Sequence, residues 1–111
     1  MALPNGPYPT GELDFWVRNG ASGVFILSRD GKNIDVLGTA AGSLKSTILE
    51  QLESKREDWF SFYYATSPAR LFSIECEWYH IFNPTNYAEH PRPTQSSSLL
   101  KCPVAGCDFN R

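Results

Sequence analysis

At 111 residues the chain has room for one domain with a modest core, and 41% apolar with 14% aromatic residues is the composition of a folded protein, not a disordered one. Ten basic against twelve acidic side chains leave a formal charge of −2, without the basic surplus that binders of polyanions and acidic membranes carry. Three cysteines fit a reducing compartment better than a disulfide framework. With no secretory leader pattern in the first fourteen residues and no run near the roughly 20 apolar residues of a membrane span, an intracellular protein, cytoplasmic or nuclear, is expected.

Residues 1–20, rich in proline and glycine, read as an extended N-terminal arm. Val24–Ser28 is a short run of strand formers, Asp30-Gly31-Lys32-Asn33 is a turn, and Ile34–Gly38 alternates as the returning strand. After the small residues Gly38–Gly42, Leu44, Ile48, Leu49 and Leu52 recur at helical spacing, leaving Lys45, Glu50 and Lys55 for solvent. That helix ends in the charged stretch Glu53–Asp58. Trp59–Ala65 is aromatic enough for a third strand, its rings packing a core in preference to stacking bases. Ser67 caps the next helix, Pro68 sits in its first turn, and Asn83-Pro84 stops it. The expected fold is α/β (α+β): β-hairpin, helix, strand, helix, with a short mixed sheet in a core of 21–86. A Pro-rich tail, 87–111, follows.

The last helix carries the chemistry. It places Glu75 on one face with Phe72 and Tyr79, and stacks Cys76 above His80 one turn away. Glu75 is a candidate acid site. Its bland alternative is a solvated edge residue, or a hydrogen-bond partner of Tyr79 or Arg70. In the tail, Cys102-Pro103-Val104-Ala105-Gly106-Cys107 has the spacing of a metal knuckle. Joined by Cys76 and His80 it would form a structural Cys₃His zinc site pinning the tail to the helix, with His90 the rival for the histidine place. Against this stand a buried, merely apolar Cys76 with unliganded tail thiols, and a Cys102–Cys107 disulfide.

In order and spacing, Gly23-Val24-Phe25, then Val36-Leu37-Gly38, a helix from Ser43, Glu75, and the ending Pro84 and Asn86 resemble the GIY-YIG nuclease domain over Gly23 to about Asn86. The resemblance implies tyrosines on two signature strands and a helix arginine that assist water and phosphate, with a glutamate holding a divalent cation. Glu75 matches that glutamate. Phe25, Val36 and Thr47 stand at the other three positions and supply neither hydroxyl acid–base group nor guanidinium. Lys45, roughly 200° around the helix from Thr47, faces away. Loss of a general base removes about 10²–10⁴ in rate, and loss of one donor to developing charge about 10²–10³ more. A degenerate, non-cutting module that binds nucleic acid or a protein is therefore expected. The alternatives are an endonuclease using Glu75 with Mg²⁺ or Mn²⁺, and a zinc-stabilised protein–protein adaptor.

Overall fold

The computed structural model describes residues 2–87, 90–91 and 102–104. Strand β1 (Asn5–Pro9) runs through a 3-10 turn (Thr10–Glu12) into a single-turn helix α1 (Leu13–Trp16). Strands β2 (Gly23–Ser28) and β3 (Ile34–Ala40) make the expected hairpin, and α2 (Leu44–Ser54), β4 (Trp59–Tyr64) and α3 (Pro68–Phe82) follow. The result is a small α+β domain with a four-stranded sheet of order β1-β4-β2-β3.

The sheet is antiparallel throughout, which corrects the expected mixed sheet. The crossover through α2 does run β4 in the same direction as β3. However, β2 stands between them, in register with both: Phe25 faces Gly38 on one side and Phe62 on the other. A strand buried at every position belongs in the middle of a sheet, and β2 is such a strand.

Alternation along β2 divides the core into two layers. Phe25 and Leu27 pack with Val36, Phe60 and Phe62 beneath Leu44 and Ile48 of α2. Val24 and Ile26 pack on the opposite face with Leu37, beneath Leu71, Ile74 and Trp78 of α3. The sheet thus separates α2 from α3.

The N-terminal segment is extended only through β1, and it joins the domain. Tyr8 stacks on Trp16 with ring centroids 3.9 Å apart, while Leu13 and Val17 enter the α2-side core. No contiguous apolar run marks this segment, because its buried residues, Ala2, Leu13 and Val17, stand well apart in the sequence, and Tyr8 and Trp16 are only half-buried. On the other face, the Trp78 indole N–H donates to the Ala2 carbonyl at 2.9 Å.

The ends of α3 follow local rules. Ser67 Oγ accepts from the Arg70 amide at 3.0 Å, the N-cap bond that satisfies an otherwise unpaired donor. Asn83 takes a left-handed conformation, φ 48 and ψ 59, which asparagine tolerates and which turns the chain back. Beyond it the Thr85 amide donates to the Ile34 carbonyl. Asn86 accepts from the Leu37 amide at 3.1 Å and donates to the Leu37 carbonyl at 3.2 Å. These bonds lay 84–87 along the outer edge of β3. Among the described residues, no helix is long and apolar enough to cross a membrane.

Candidate metal centre

Phe25 and Val36, compared above with the tyrosines of the GIY-YIG domain, are core residues. Phe25 is 1% exposed and Val36 2%, both in the layer under α2. Thr47 is half-buried on α2, its hydroxyl 3.4 Å from that of Ser43. Neither nearby cation serves them: Lys45 pairs with Asp14 at 2.6 Å, and Arg29 donates to the Arg56 carbonyl. Gly23 and Gly38 have a steric purpose. A Cβ on Gly38 would lie 2.5 Å from the Phe25 ring, and one on Gly23 would strike the Tyr63 carbonyl oxygen.

Glu75 lies on α3, so the sheet stands between it and Phe25, Val36 and Thr47. It is buried and accepts a hydrogen bond from the Tyr87 hydroxyl. Burial raises the Glu75 carboxyl above the usual carboxylate range, and the Tyr87 donor partly offsets this. Burial, and then the Glu75 carboxylate, push the Tyr87 hydroxyl upward. Thus Glu75 has a phenol partner, but not Tyr79 or Arg70. Tyr87 escapes a helix-face reading because it lies past the Asn83-Pro84 stop and reaches Glu75 only through the chain reversal.

Three candidate metal ligands also lie together beside α3. Cys76 on α3, His90 and Cys102 each present a ligand atom, and the three atoms lie within 4.8 Å of one another. In a tetrahedral zinc site, Zn–S of about 2.3 Å and Zn–N of about 2.0 Å put neighbouring donors about 3.3–3.8 Å apart. A small contraction would therefore close the group around an ion. Cys76 and Cys102 are buried with Phe72 and Val104 packed around them. His90 Nδ1 lies 2.7 Å from the Pro91 carbonyl oxygen. A carbonyl only accepts, so Nδ1 carries the proton and Nε2 keeps the lone pair, the tautomer that a carbonyl-oriented metal ligand needs.

His90, the rival, occupies the histidine place in this group, and His80 does not belong to it. Four residues carry a helix about 40° past a full turn. His80 is accordingly exposed, its ring 5.3 Å from that of His90 between centroids. Partial burial, and then the neighbouring His90, lower the His80 pKa. Cys107 lies outside the described residues.

A second buried acid escaped the sequence reading. Glu57, within the charged stretch before β4, is buried, and its Oε2 has no hydrogen-bond partner among the described residues. Burial and the adjoining Asp35 carboxyl push its pKa up to about 7, against weaker pulls from Arg29 and Lys55. Surrounding charge concealed it, since charged runs usually face water. No protein-family model, no curated protein and no solved structure matches this chain.

Proposed function

We propose that the chain is a non-catalytic binding module on a degenerate GIY-YIG-like frame, with its C-terminal segment held against α3 by structural zinc. One observation carries the non-catalytic reading: Phe25 and Val36, apolar and buried, lie across the sheet from Glu75. Phosphodiester cleavage needs the water-activating group, the cation and the donors to phosphate in one place. Glu75 is instead engaged by Tyr87. A protein partner is favoured over nucleic acid because a chain of net charge −2 offers little counterion release to a polyanion.

The donor set supports the zinc reading. Two thiolates and an imidazole suit zinc far better than Mg²⁺ or Mn²⁺, which prefer oxygen ligands. The fourth ligand falls to Cys107, five residues beyond Cys102 in the knuckle spacing. Ordering backbone costs roughly 1–2 kcal/mol per residue, and among the described residues the C-terminal ones packed on α3 around Cys76 are Cys102 and Val104. Metal coordination would supply the difference.

The test combines two measurements on the purified chain. Branched and single-stranded DNA with Mg²⁺ or Mn²⁺ should be neither cut nor retained in a salt-dependent manner, and metal analysis should find one equivalent of zinc, lost in Cys102→Ser. Cleavage that disappears in Glu75→Ala would overturn the non-catalytic reading. Protein that takes up no zinc would overturn the metal reading.

A further inference from the structure

Cys76 and Cys102 are more than two ligands of one ion. Their Sγ atoms lie within 4.8 Å, both side chains are buried, and they come from separate segments, α3 and the tail. A disulfide requires an S–S distance of about 2.05 Å, so closure needs under about 3 Å of approach, shared between side-chain rotation and a shift of the tail. We propose that Cys76 and Cys102 form a redox-convertible clip, which holds zinc when reduced and closes to a disulfide when a hydroperoxide oxidises it. This rests on the zinc reading above and adds its regulation.

Zinc keeps both sulfurs as thiolates at neutral pH, the nucleophilic form. One thiolate attacks the hydroperoxide: an S–O bond forms, the O–O bond breaks, and with one proton a sulfenic acid and one water (or alcohol) result. The second thiolate attacks the sulfenic sulfur, the S–S bond forms, and hydroxide leaves as water after taking up another proton. The two sulfurs lose two electrons in total and the hydroperoxide gains two. A second thiol this close intercepts the sulfenic acid before sulfinic acid forms.

The conversion removes two of the zinc ligands at once, so the ion leaves and His90 loses its metal. The tail stays attached at Cys102, now covalently, while 90–91 is released. The clip therefore survives a change of redox surroundings in altered form. Its rate is set by opening of the tail, because Cys76 is 0% and Cys102 4% exposed.

The experiment treats zinc-loaded full-length protein with stoichiometric hydrogen peroxide. Zinc release is followed with a chromogenic chelator and the cross-link is located by non-reducing peptide mapping. The expected result is one equivalent of zinc released together with a Cys76–Cys102 link, reversed by dithiothreitol and added zinc. Zinc retained without a cross-link, or released with a Cys102–Cys107 link or sulfinic acid, overturns the conversion alone. Protein that never takes up zinc overturns the metal reading beneath it.

Discussion

Gly38 shows how a single missing side chain shapes the hairpin. The Phe25 ring lies where a Cβ would stand, 2.5 Å from Cζ. Gly38→Ala should cost about 1–3 kcal/mol through overpacking, measured as a lower urea midpoint, and adding Phe25→Leu should recover part of the loss. Tyr87→Phe addresses Glu75. The variant leaves a buried carboxylate without its donor, a loss of about 1–3 kcal/mol. The raised folded pKa of Glu75 means that folding takes up a proton, so stability is greatest in acid and declines as pH rises through the folded value. The wild-type–variant difference should therefore be larger at pH 8 than at pH 5 in urea titrations. Gly23 and Gly38 drew notice through a resemblance alone, and their steric reason lies in the packing of Tyr63 and Phe25. Tyr87 was not legible, because helical periodicity carries no information about a chain that doubles back.

At the scale of elements, the hairpin, α2, β4 and α3 were readable, from strand formers around a turn, helical spacing, an aromatic run and a cap, whereas the single-turn α1 was not. The strand order was not. Nothing in the β4 sequence says that it pairs with β2 and leaves β3 at the edge, and β1 hides among prolines. The junction of these strands holds Glu57, whose pKa rises from an ordinary 4.5 to about 7. A raised carboxyl pKa favours the folded state in acid, so the urea midpoint should fall as pH climbs from about 4.5 to about 7 and then level off. Glu57→Gln should flatten that part of the profile. A Glu57→Gln profile as steep as wild type would assign the dependence to other groups.

At the scale of the molecule, three apolar clusters among the described residues divide the work. The two large ones bind α2 and α3 to the sheet, and the third, Phe72, Cys76, Cys102 and Val104, joins the tail to α3. If zinc holds only the tail, a chelator should speed amide exchange at 90–91 and 102–104 while β2, β3 and α2 keep their protection. Global unfolding on chelation would instead make the metal a core element. The candidate site was half legible: Cys76 and Cys102 come together as expected from the tail's need for ligands beyond its own two cysteines. The histidine depended on where the reversal at Asn83 delivers His90, which spacing alone does not encode.

The pairing of Asn86 with Leu37 also bears on how this protein can meet another molecule. One rim of the sheet has its Leu37 amide and carbonyl taken by that side chain, and its Ile34 carbonyl taken by Thr85. The opposite rim, β1, carries Pro7 and Pro9, which have no N–H to offer. An incoming peptide would find no continuous ladder to extend on either side, so templated self-assembly is disfavoured. If the chain binds a partner as proposed, strand addition to these two edges is the disfavoured route.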